Sequence, residues 1–91
     1  MTTIAVRHSV ADYDTWKLVF DEHEKIRRSH GATEHRVLRE GNNVLALIHF
    51  PDAASARTFS EDPSLHDAME RGGVLGAPDV SVWDQDVEER Y

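Results

Sequence analysis

A chain of 91 residues, 40% of them hydrophobic, has enough apolar side chain for one core and too little length for a second. It contains no cysteine, so disulfides, thiolate metal sites, iron–sulfur clusters and a cysteine nucleophile are all ruled out. A formal charge of -7, from 10 Lys+Arg against 17 Asp+Glu, opposes phosphate backbones and anionic lipid, and no run of about 18 apolar residues offers a span. Neither nucleic acid nor a membrane is expected as a partner.

A domain of this size buries only roughly 60 to 65% of the surface its unfolded chain exposes, which favours association with a second copy. The opening MTTIAVRHSV lacks the long apolar run of a signal peptide, so a soluble cytoplasmic protein is the expectation.

Residues 3 to 10 alternate, with Ile4, Val6, His8 and Val10 on one face and Thr3, Ala5, Arg7 and Ser9 on the other, the period of a strand. His8 therefore points with the core residues. From about 12 to 29, Trp16, Val19, Phe20, His23 and Ile26 recur at spacings of three and four, the stripe of an amphipathic helix, with Lys17, Asp21, Glu24 and Arg28 opposite. Gly31 stands at the expected C-cap, and Arg27, Arg28 and His30 read as cations suited to the negative end of the helix dipole.

ATEHRVLRE predicts a second strand, GNN a turn, and VLALIHF a third strand apolar enough to be central. Pro51 and Asp52 open a second helix whose inner side carries Ala53, Ala56, Phe59 and, beyond a break at Asp62 and Pro63, Leu65, Ala68 and Met69. GGVLGAPD reads as a structured loop that caps one end of a pocket, with Val74 and Leu75 tucked inward, and VSVWDQDV as a last strand. The order strand, helix, strand, strand, helix, strand predicts one α+β domain over residues 1–91: a four-stranded antiparallel sheet with both helices on one face. Ala5, Leu45 and Leu47 would lie on the bare face, which a second copy would cover.

The residues best suited to chemistry are His8 on the helix-facing side of the first strand and His23 on the first helix, with Trp16 and Phe20 beside them. Two imidazoles, which titrate near neutrality, can act as an acid and base pair for enolisation, aldol-type ring closure or deprotonation of a phenol. Phe59 and Met69 on the second helix complete the expected substrate-binding wall. The competing expectation is that His23 hydrogen-bonds the backbone or His8 and that the aromatic side chains simply fill the core.

No metal is expected, because His8 and His23 lack a third ligand and no HExxH pattern is present. The glycines at 72, 73 and 76 follow no phosphate-binding pattern, and no nucleophile elbow or paired carboxylates can be read. His35 and His49 lie in regular strand and are expected to be solvated or dimer-facing. His66, with Ser64, Asp67 and Glu70 near it, reads as part of a solvated face and not as a haem ligand.

The stretches VRHSVADYDTWKLVFDEHEKIRRSHGA and ARTFSEDPSLHDAMERGGVLGAPDV, the HRV of the second strand and the hairpin spacing between them resemble small bacterial proteins of the dimeric α/β-barrel superfamily, near the antibiotic biosynthesis monooxygenase group. That resemblance implies a ferredoxin-like protomer, a homodimer with facing sheets, and a pocket in each subunit between helices and sheet. Its members include cofactor-independent monooxygenases, haem-degrading enzymes and polyketide cyclases. The monooxygenases that oxidise polycyclic phenols use an Asn on an early strand, where this chain has His8.

The functional expectation is a homodimer that binds a small, largely apolar organic molecule and acts, without a cofactor, as a cyclase or monooxygenase of secondary metabolism. The alternative is a non-catalytic binding or structural protein with a filled core.

Overall fold

A computed structural model describes all residues from Met1 to Tyr91. Eight elements follow one another: β1 (Thr2–Val10), α1 (Tyr13–Glu22), α2 (Glu24–Ser29), β2 (Glu34–Glu40), β3 (Asn43–Phe50), α3 (Ala53–Ser60), α4 (Pro63–Arg71) and β4 (Val74–Asp84). The strands form one antiparallel sheet in the order β2-β3-β1-β4, so each crossover is a broken helix and the fold is ferredoxin-like.

Alternation decides the faces. Ile4, Val6, His8 and Val10 of β1 and Val44, Ala46, Ile48 and Phe50 of β3 are buried together beneath the helices. Trp16 and Phe20 of α1 and Ala56 and Phe59 of α3 close the same cluster. Local chemistry starts each main helix at an aspartate: Asp12 accepts from the Thr15 backbone at 3.0 Å, Asp52 from Ser55 at 2.7 Å and Asp62 from Ser64 at 2.8 Å. Pro63 occupies the first position of α4, where its missing N–H costs nothing, so a new helix begins there.

Three sequence expectations change. The helix expected from 12 to 29 breaks at His23, whose φ of -80° and ψ of -3° end α1 before α2 resumes. The segment 72–79 is mostly strand and not a loop: β4 begins at Val74, pairs Leu75 with Ser9 and, after a bulge, Asp79 with Arg7. Gly76, Ala77 and Pro78 thus stand against His8 alone; Gly76 takes the positive φ of +69° that the bulge requires, and Pro78 is tolerated because β4 is an edge strand. Leu75 is 56% exposed and does not line the space between helices and sheet, whereas Val74 packs on the core. The last strand therefore spans 74–84, and the tail from 85 to 91 is exposed.

On the face away from the helices, Ala5, Leu45 and Leu47 are half-buried, Leu38 is 50% exposed and Trp83 63%. The accessible surface of 6060 Å² exceeds the roughly 5,400 Å² of a compact monomer of this mass. Part of that excess belongs to the exposed tail.

Candidate functional site

Between the helices and the sheet lies an apolar cavity of about 40 Å³. His8 and Val6 reach it from β1, Trp16 and Phe20 from α1, His23 from the turn between α1 and α2, Phe59 from α3 and Met69 from α4. The six side chains singled out in the sequence therefore meet around one space, His8 and His23 among them.

Aromatic contacts run through its wall in series. The His8 ring lies 5.5 Å from Trp16, Trp16 stacks on Phe20 at 4.9 Å, and the Arg27 guanidinium sits 3.8 Å above the other aromatic end, the Phe20 ring. Trp16 is held close to the chain turn after α4, where a Cβ on Gly72 would approach its Cδ1 to 3.1 Å. The same Cβ would come within 3.2 Å of the Ala68 carbonyl oxygen, so a larger residue at 72 requires the indole or the backbone to give way slightly.

The two histidines do not pair with each other. His23 Nε2 lies 2.9 Å from Ser64 Oγ, at the start of α4, and Ser64 is in turn tied to Asp62 through its backbone. Asp62 also meets His30 Nε2 at 2.8 Å, and these two partners hold its carboxyl down at about 2, with the His30 hydrogen bond the largest cause. His8 has no partner: Nδ1 and Nε2 are both sealed from solvent without a hydrogen bond. Burial pushes its pKa below the ordinary 6.5, and His23 shifts the same way through burial and then the nearby Arg27 charge. Both rings are neutral at pH 7, and a neutral imidazole can accept a proton.

Arg27 departs furthest from its expected place. Expected as a cation suited to the negative end of the helix dipole, it is 2% exposed and lines the cavity, with Nε and Nη2 unpartnered. Positions 16, 20, 23 and 27 continue one spacing of four, three and four, so the stripe itself pointed inward. His35 also lies elsewhere than the solvated or dimer-facing position expected of it. It pairs with buried Ile48, faces the helices and meets the Phe20 ring edge-on at 5.0 Å. His49 does lie on the outer face, opposite Thr3, whose hydroxyl is 2.8 Å from its Nδ1. The His66 side chain is 82% exposed, with Nε2 3.2 Å from Glu70 Oε1.

No family model and no curated protein matches this sequence. Solved structures do match in shape. SnoaB, a cofactor-independent oxygenase from Streptomyces nogalater, superposes with a TM-score of 0.78 at 15% identity, over 96% of this chain and 94% of its own. A protein assigned as an antibiotic biosynthesis monooxygenase from Bordetella bronchiseptica gives 0.77 at 7% identity, over 94% and 97% of the two chains. Its counterpart from Nitrosomonas europaea gives 0.71 at 13% identity, over 93% and 98%. At such identities the shared property is the fold. No helix of this chain is long and apolar enough to cross a membrane.

Proposed function

We propose that this chain is a homodimer that binds a small, largely apolar organic molecule between helices and sheet, and that it acts as a cofactor-independent cyclase or monooxygenase. One observation carries the reading: His8, neutral and with both ring nitrogens unpartnered, stands at an aromatic-walled cavity. An unpartnered buried polar group costs roughly 1 to 3 kcal/mol, a cost that a bound substrate's hydroxyl or carbonyl removes. Held next to an acidic C–H or phenolic O–H, the ring takes the proton, and the enolate or phenolate left behind is the species that closes a ring or meets dioxygen. His23, fixed by Ser64, is the second acid–base group, and the largely neutral aromatic wall made by Trp16, Phe20 and Phe59 orients the substrate with Met69.

A volume of about 40 Å³ holds only about three water molecules, far below the few hundred Å³ of a pocket for a drug-sized ligand. Entry of a ring system therefore requires the half-buried Val19, Leu65 and Met69 to swing outward, which the unbranched methionine does at little cost. The small volume is also what favours the rival, a non-catalytic protein with a filled core.

Deuterium exchange at the α-carbon of 2-tetralone, followed by NMR in D2O, separates the two. The wild-type chain is expected to accelerate exchange, His8→Gln to lose at least tenfold of that acceleration with its fold intact, and the pH profile to fall off below 6.5 as the depressed imidazole finally protonates. Exchange no faster than in buffer would leave the filled-core protein as the better description.

The dimer has its own test. The outer sheet face, with Leu38, Leu45, Leu47 and Trp83, is the surface we assign to the second copy. Light scattering at micromolar concentration should give twice the 10.3 kDa chain mass, falling to the single mass in Leu47→Lys. A wild-type mass of one chain would contradict the dimer.

A further inference from the structure

We infer that the cavity recognises a carboxylate, and that Arg27 grips it through the Nε and Nη2 edge of its guanidinium. This rests on the cavity being a ligand site, and it names the chemical class of the ligand.

A guanidinium has five donors, and Nε–H with one N–H of Nη2 form the edge whose two parallel bonds match the two oxygens of a carboxylate. In Arg27 those two nitrogens are the ones sealed from solvent with no partner. The residue is 2% exposed, and neither nitrogen of that edge reaches water. Burial lowers its pKa, and the charges of Glu24 and Asp21 offset this only in part and without a direct bond. Asp21 bonds Lys17 at 2.6 Å, Glu24 faces Arg28 at 3.9 Å, and no acid stands within ion-pairing distance of Arg27. The Phe20 face at 3.8 Å stacks on the guanidinium plane, which fixes the plane and leaves its edges for in-plane partners.

The placement also constrains the shape of the ligand. His8 and Arg27 are joined through Trp16 and Phe20, so the polar groups lie at the two ends of an apolar aromatic wall. His35 flanks the Arg27 end, and burial and the Arg27 charge lower its pKa, so it adds no competing positive charge at neutral pH. A flat aromatic acid fits this pattern: its carboxylate at Arg27, its ring along Trp16 and Phe20, and a hydroxyl or carbonyl at the far end directed to His8.

The test compares 2-naphthoate with its neutral isostere 2-naphthamide by calorimetric titration of the full-length chain, in the wild type, Arg27→Met and Arg27→Lys. The acid should bind the wild type at least thirtyfold more tightly than the amide. Arg27→Met should abolish that preference while still binding the amide. Arg27→Lys, which keeps the charge but loses the fork, should retain only part of it. Equal binding of acid and amide to the wild type, or a preference that survives in Arg27→Met, overturns the carboxylate assignment and leaves the ligand site standing. Binding of neither compound at millimolar concentration overturns both. Unchanged near-ultraviolet circular dichroism establishes that each variant is folded.

Discussion

Arg27→Met is expected to raise the thermal midpoint of the ligand-free protein, by roughly 5 to 15 °C. A buried cation with two unpartnered donors pays a desolvation cost that its contact with one aromatic ring only partly offsets. Methionine fills much the same volume beside Phe20 and brings no charge. Replacing buried ionic groups by apolar ones of similar size commonly stabilises by about 1 to 4 kcal/mol, and about 1 kcal/mol moves the midpoint of a domain this small by roughly 4 to 8 °C. Differential scanning calorimetry at matched protein concentration measures the shift. A lower midpoint would make Arg27 a structural element of the core and remove the reason for assigning it a ligand. A residue that weakens the fold while serving a site is the familiar exchange of stability for function.

The opposite sign is expected at Phe59. This side chain is fully buried, with ring centroids at 5.4 Å from Phe50, 5.9 Å from His23 and 5.7 Å from His30. Truncation to alanine removes the aromatic contacts and leaves a void that α3, β1 and β3 collapse into only in part, at about 3 to 5 kcal/mol. Measured against the 5 to 15 kcal/mol of a typical domain, that loss moves the denaturant midpoint by a large fraction of its value. A change under about 1 kcal/mol would mean that the site repacks freely and that Phe59 is no fixed wall of the cavity.

Most of this architecture was legible in the sequence, because each face of each element is dictated by period. Alternation in β1 places Ile4, Val6 and His8 inward, assigning Leu45 and Leu47 of the apolar β3 run to the bare face puts Val44, Ala46 and Ile48 inward, and the spacing of 16, 20 and 23 places the aromatic and imidazole side chains above them. The likeness of fold to SnoaB agrees with the ferredoxin-like order of elements.

What escaped has identifiable causes. Gly and Pro between 72 and 79 signal a loop, yet here they serve a bulge inside an edge strand, a use that only the partner strand reveals. GNN suggests a three-residue turn at 41–43, whereas two residues, Gly41 and Asn42, make it. That single residue sets the pairing of His35 with Ile48 and so places His35 beneath the helices. The inward place of Arg27 is less legible, because its charge and its period point to opposite sides of the helix. A charged residue on the inward stripe of a helix is the stronger signal of a site, since burial without a partner is too costly to be incidental.

The central claim, that the space between helices and sheet receives a ligand, is tested most directly by the two tryptophans. Trp16 is 4% exposed at the cavity, while Trp83, whose Nε1 donates to Ser81 Oγ at 2.7 Å, is 63% exposed on the other face of the sheet. In ¹⁵N-labelled protein titrated with 2-naphthoate, the Trp16 indole N–H resonance should shift with saturation, together with the amides of Phe20 and His23, and that of Trp83 should stay in place. A shift at Trp83 with Trp16 unmoved would put binding on the outer sheet face and contradict the account.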